Sequence, residues 1–198
     1  MFSGIPGQAQ PKAFFERAFR EGTLAHAYLL AGPEGLAKTE FARELGAALV
    51  SRCGDCGACP DCERARAGLH PDLHLLEREG DVYRVAQIEP LIADLSLKPF
   101  SAAHRVWVIP EVEYLNPESA NKLLKSIEEP PPHVIFLLVT DRLDRVLPTI
   151  VSRCQVVEFR PLSDGEVVGY LDERYQVDQV AAEALARLSL GSVERAAR

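Results

Sequence analysis

Apolar residues in this chain switch repeatedly between short continuous runs and a spacing of three to four. The spaced stretches predict amphipathic helices, because residues three and four apart share a helix face. One covers 11–22, with Phe14, Phe15, Ala18 and Phe19 on one side, and another covers 38–50, with Phe41, Ala42, Leu45, Ala48 and Leu49. A third covers 85–96 (Ile88, Leu91, Ile92, Leu95) and a fourth 117–128 (Ala120, Leu123, Leu124, Ile127). The continuous runs predict strands at 27–31, 72–77, 106–109, 134–139 and 155–159, with a short edge strand or turn at 81–83. The run 134–139 reads as a strand buried on both faces. Pro110 stops the third strand, and Pro130, Pro131 and Pro132 end the fourth helix, since proline cannot continue its hydrogen-bond ladder. A short helix near 144–151 precedes the last strand.

Strands alternating with helices imply an α/β fold, a parallel sheet with helices on both faces. After a linker at 161–164 the pattern is helical throughout, roughly 164–173, 178–189 and 192–198. Ser163 with Glu166 three residues on is a capping-box signature. The expected organisation is an α/β unit over 1–162 and a small helical lid over 163–198, too short to stand alone.

Composition narrows the function. With 47% apolar residues among 198, the chain can bury a sizeable core. Its net charge of −7 disfavours a free-standing nucleic-acid binder, which needs clustered Lys and Arg for phosphates. No apolar run approaches the roughly 18 residues of a membrane span, and Met1–Gly7 lacks the form of a signal peptide. A cytoplasmic setting is expected, where the five cysteines read as metal ligands or free thiols rather than disulfides.

Two stretches carry chemistry. Gly32-Pro33-Glu34-Gly35-Leu36-Ala37-Lys38-Thr39 lies between the first strand and a helix. In that setting backbone N–H groups and the helix N-terminus cradle phosphates, a lysine reaches the outer ones, and a hydroxyl holds Mg²⁺. The pattern is broken at Ala37, where glycine is expected before the lysine, so the loop is either a working site with a tolerated methyl or the remains of one. Cys53, Cys56, Cys59 and Cys62 are spaced C-x2-C-x2-C-x2-C, which suits a closed tetrahedral Zn²⁺ site of structural kind. Free cysteines and an iron–sulfur cluster are the alternatives. Cys154 reads as a small buried residue.

Three further stretches make the sequence resemble the clamp-loader branch of the AAA+ ATPases: Leu24–Leu30 running into Gly32–Gly35, the cysteine module followed by Ala67–Asp72, and Asn121–Pro131 leading to Leu147–Cys154. The resemblance spans most of residues 7–160. It implies a P-loop-type sheet with an inserted zinc module at 53–62, and an ATP site at an interface between subunits. It also implies that Arg153, in Ser152-Arg153-Cys154, acts in trans on a neighbour's γ-phosphate. Guanidinium suits that role, being permanently charged with a rigid donor fork.

The departures concern nucleotide chemistry. Where the family carries an Mg²⁺-ordering aspartate after the third strand, this chain has Pro110, which offers no side-chain oxygen, although Glu111 follows. Glu113 nearby reads as a solvated loop residue, and Thr140 occupies the place of the family's first phosphate sensor. In the lid, the sensing arginine's position holds Glu194, with Arg195 one residue off. Losses at Ala37, Pro110 and Glu194 beside a retained Arg153 resemble the delta-prime subunits of bacterial DNA polymerase III, the stators of the clamp loader. That resemblance implies weak or absent ATP binding at Gly32, Gly35, Lys38 and Thr39 and little hydrolysis by the chain alone. It implies partnership with gamma/tau and delta subunits, and with the sliding clamp and primer-template DNA through the complex. The C-terminal collar domain of such subunits is not evident after Arg198. Cys56, Cys59 and Cys62 match the family's zinc ligands better than Cys53, because the family's first cysteine gap is longer. The rival reading is an ATP-hydrolysing gamma/tau-like subunit, since Lys38, Thr39 and Glu111 remain. A P-loop kinase of small molecules would need an arginine-rich lid, and the Ser152–Cys154 match argues against it.

Overall fold

The structure, a computed structural model, describes Phe2, residues 4–53 and residues 59–197. A parallel sheet forms from β1 (Ala27–Ala31), β2 (Leu73–Leu75), β3 (Arg105–Ile109), β4 (Val134–Thr140) and β5 (Gln155–Glu158), in the order β2-β3-β4-β1-β5. The central pairing sets Leu29 opposite Leu138, and Trp107 opposite Phe136. Each crossover carries helical segments: α1 (Ala9–Glu21) leads in, and α2 (Lys38–Val50) and α3 (Pro60–Arg66) join β1 to β2. Then α4 (Val85–Leu95) precedes β3, α5 (Pro117–Glu128) precedes β4, and α6 (Pro148–Val151) precedes β5. Helices α7 (Asp164–Tyr175), α8 (Gln179–Ser189) and α9 (Val193–Ala196) follow.

Period-two alternation divides the strands between two cores. Tyr28, Leu30, Val106, Val108, Ile135, Leu137 and Val139 face one, which α1, α2 and the last three helices cover through residues such as Phe15, Phe41, Leu45, Val167 and Ala186. Leu29, Trp107, Ile109, Phe136 and Leu138 face the other, covered by α4, α5 and α6 through Ile88, Leu91, Leu123, Ile127 and Ile150. All seven residues of β4 are buried, as its unbroken apolar run predicts. A fully buried Leu or Phe is worth about 1.5–3 kcal/mol, so the central strands anchor the molecule.

Local chemistry explains the element ends. Asn116 caps α5 by accepting from the Ser119 backbone at 2.8 Å, with Pro117 as the first helical residue. Ser163 and Glu166 make the expected reciprocal capping box of α7, and Asp178 caps α8. Two expectations need correction. The strand expected over 72–77 is limited to Leu73–Leu75. Just before it the Asp72 carbonyl accepts from the Val106 N–H at 2.8 Å, and its carboxylate accepts from the backbone N–H groups of Phe100, Ser101 and Ala102 at 2.6–2.9 Å. Burial opposes ionisation there, but the three donors hold the Asp72 carboxyl below the usual carboxylate range. The cysteine stretch also contains helix α3, started by Pro60 at its first turn, which the cysteine spacing did not announce. At 81–83 the chain makes a single parallel bridge, Tyr83 to Leu115.

Candidate functional site

The glycine loop leaves β1 and enters α2 as expected, and its residues converge on the end of the sheet. Lys38 opens α2 and is 4% exposed. Its ammonium donates to the Pro33 carbonyl at 2.5 Å and lies 2.6 Å from an Asp141 carboxylate oxygen. The place where a lysine would meet phosphate is therefore taken up by two oxygens of the chain itself. Asp141 follows Thr140 at the end of β4, and its own N–H donates to Glu113 Oε1 at 3.2 Å. Glu113 is thus a half-buried anchor for that turn, where a solvated loop residue was expected. Thr140, fully buried, accepts from the Arg142 N–H at 3.0 Å through its hydroxyl.

The retained glycines have packing reasons of their own. A Cβ on Gly32 would lie 2.4 Å from the Phe159 carbonyl oxygen. Gly35 has φ +82°, and a Cβ there would lie 2.0 Å from Ser192 Oγ. That hydroxyl donates to the Gly35 carbonyl at 3.2 Å, so the start of α9 sits directly on the loop. Ala37 adopts φ 55°, the left-handed conformation that disfavours any side chain by roughly 1–2 kcal/mol. The methyl thus brings backbone strain as well as crowding.

The cavity left beside the loop is about 160 Å³. That is below the roughly 300–1,000 Å³ of typical small-molecule pockets. Glu34, Glu40, Asp141 and Glu194 line it against Lys38, with Thr39 on the same wall. Acidic residues thus outnumber Lys38 in the lining, and Lys38 pairs there with Asp141. Glu194, at the position of the expected sensor, is one of the residues lining that cavity.

Glu111 is engaged elsewhere. It stands just past β3 with φ 50°. Arg78 donates to its two carboxylate oxygens from Nε and Nη2, each at 3.0 Å, and stacks over the Tyr114 ring at 4.3 Å. This bidentate arginine contact engages both carboxylate oxygens of Glu111. Pro110 keeps a structural role: its carbonyl accepts from the buried Tyr83 hydroxyl at 2.7 Å. Burial pushes the Tyr83 hydroxyl well above its ordinary pKa.

Arg153 lies just after α6, exposed on the surface. Its Nη1 donates to the Thr149 carbonyl at 3.0 Å and to Ser152 Oγ at 3.2 Å, while Nη2 pairs with Glu128 at the end of α5. Cys154 next to it is partly buried, and burial pushes its thiol up to about 12, so it is an inert packing residue.

The cysteines of the module come together. The sulfurs of Cys53, Cys59 and Cys62 lie 3.3–3.6 Å apart. Tetrahedral thiolates about 2.3 Å from a zinc ion stand roughly 3.8 Å from one another, so these three could hold a metal ion. Cys56 lies outside the described residues. Residues Asp141, Arg78, Ser192 and Glu128 escaped sequence reasoning. Arg78 and Glu111 are 33 positions apart and Gly35 and Ser192 are 157 apart, and no spacing rule joins them.

A family model described as DNA polymerase III, delta subunit matches residues 7–163. Subunit delta' of DNA polymerase III from Bacillus subtilis is 34% identical over 76% of this chain and 47% of its own length. Subunit gamma from Buchnera aphidicola is 30% identical over 98% of this chain and 56% of its own. The chain spans about half the length of these curated relatives. The RuvB Holliday junction branch migration motor of Thermotoga maritima aligns over 96% of this chain and 59% of its own with a TM-score of 0.65 at 22% identity, which identifies the fold as AAA+-like. The chain belongs to the DNA polymerase III delta-subunit family, as a delta-prime-like member of the clamp-loader subunits.

Proposed function

We infer that this chain is the non-hydrolysing, stator subunit of a clamp loader, supplying Arg153 in trans to a neighbouring ATPase subunit. One observation carries this reading: the phosphate loop is filled by the chain's own groups, with Lys38 clamped between Pro33 and Asp141, while Arg153 stays at the surface. An arginine delivered in trans can supply about 10³–10⁵ in rate in GTPases, so an exposed guanidinium is worth keeping when the local site is not. Partner subunits of gamma/tau and delta type, and through them the sliding clamp and primer-template DNA, follow from the same reading. The cysteine module fits a structural zinc, held by Cys53, Cys59 and Cys62 with Cys56 as the fourth thiolate. Residues 1–162 then form the nucleotide-binding-like unit and 163–198 its lid.

The gamma/tau-like reading also has support, because the gamma relative aligns over nearly the whole chain and Lys38 and Thr39 remain. The finger assignment is tested in a reconstituted loader, and nucleotide binding separates the two readings. Arg153→Ala should lower ATPase while assembly, followed by gel filtration, persists. Unchanged hydrolysis would remove the finger assignment. Calorimetry of the isolated chain with ATP, with and without Mg²⁺, should give weak heat or none, and tight binding would favour the motor reading.

A further inference from the structure

We propose that Glu128 is a positioning residue for Arg153, setting the direction in which the guanidinium is offered to a neighbour. This rests on the reading of Arg153 as a trans-acting group. Glu128 is the last residue of α5, where the helix dipole disfavours a carboxylate. Local helix preference therefore gives no reason for it, and the side chain turns to Arg153 instead. The platform is rigid: Leu123, Leu124 and Ile127, immediately before it, are all buried in the second core. Pro130 and Pro131 follow and fix where α5 stops. Arg153 stands on a four-residue helix, α6, whose own anchor is the buried Ile150.

The guanidinium is consequently held from two elements. Nη1 is engaged by the Thr149 carbonyl and Ser152 Oγ of its own segment, and Nη2 by Glu128 from across the fold. Thr149 and Ser152 belong to the same short segment as Arg153, whereas Glu128 holds the guanidinium from a separate element, the end of α5. Arginine carries five N–H donors, so a guanidinium held this way keeps donors for an incoming phosphate oxygen. Preorganisation of this kind acts on the transition state, where a misplacement of about 1 Å can cost about 100-fold. The effect belongs in kcat of the neighbouring site rather than in assembly or nucleotide affinity.

The experiment is steady-state ATPase of the reconstituted loader containing the full chain, with Arg153→Ala, Glu128→Ala, Glu128→Gln and the Arg153→Ala/Glu128→Ala double variant. Assembly is checked by gel filtration for each. Glu128→Ala should lower kcat at the site this chain faces by about three- to tenfold, with KM unchanged within about twofold. Glu128→Gln, which keeps an acceptor of the same reach, should recover most of the rate. In the Arg153→Ala background, Glu128→Ala should add no further loss. If Arg153→Ala lowers the rate but Glu128→Ala leaves it unchanged, raises it, or adds fully to Arg153→Ala, the positioning role is wrong. If Arg153→Ala itself has no effect, the finger reading fails and this inference falls with it.

Discussion

Replacing Lys38 with methionine separates a phosphate ligand from an internal strut. Methionine keeps most of the apolar stem, so the change removes chiefly the ammonium. That ammonium sits on a side chain 3% exposed, 2.5 Å from the Pro33 carbonyl and 2.6 Å from Asp141. A hydrogen bond from a charged donor contributes about 1.5–3 kcal/mol. The ion pair is discounted to about 1 kcal/mol, because Asp141 is 37% exposed and solvent screens it. The expected destabilisation is about 2–4 kcal/mol, or about 4–16 °C in Tm for a chain of this size. Thermal unfolding by circular dichroism without nucleotide measures it directly. Lys38→Met/Asp141→Asn should lose less than the sum of the singles, since both partners of the contact go together. A loop that bound nucleotide would behave in the opposite way. At 1 mM MgATP and a Kd of about 10 µM, binding would add about 2.7 kcal/mol to the wild type. A Lys38→Met chain with wild-type Tm, together with a wild type that gains several degrees from MgATP, would refute the strut assignment.

Three other outcomes are expected. Glu111→Gln should cost only about 0.5–1 kcal/mol in a urea titration, since its partner Arg78 holds it at the surface, and should leave loader ATPase unchanged; a collapse of ATPase would make Glu111 a working base. Metal analysis should return about one zinc per chain, and chelation or Cys62→Ser should lower Tm, whereas an iron–sulfur absorbance band would overturn the zinc assignment. Burial lowers the pKa of His70, His74 and His104, with Asp94 partly opposing it at His74. These groups bind protons less readily folded than unfolded, where they protonate below about pH 6.5, so stability should fall as pH drops from 7 toward 5. A urea midpoint that rises over that interval would contradict the assigned burial.

Much of the fold was legible because its signals are local. Periodicity placed α2, α5 and β4 almost to the residue, since a helix stripe and a buried strand each repeat within one or two turns of chain. Capping chemistry at Ser163 and Glu166 spans only three positions, and it too was readable. Helix α3 was hidden because cysteine spacing speaks of a metal and says nothing of backbone. The end of β2 was hidden for a different reason. Asp72 keeps its carbonyl on the Val106 N–H of β3, but its carboxylate is committed to N–H groups some thirty residues on, a contact that no local pattern announces.

The same division holds at the site. The chain alone raised the expectation of a damaged phosphate loop: Ala37 stands before Lys38, and the clamp-loader resemblance sets Pro110 at an acidic position and Glu194 at a basic one. It also exposed the surviving Arg153 with its flanking motif. Only the tertiary structure decided what the retained residues do instead. Lys38 meets Asp141, Glu111 meets Arg78, Gly35 meets Ser192 and Arg153 meets Glu128. Each pair joins positions from separate elements, brought within contact range by the stacking order of the strands. A polar group leaving water takes whichever partner the fold puts in reach, and that choice is set by packing rather than by spacing along the chain.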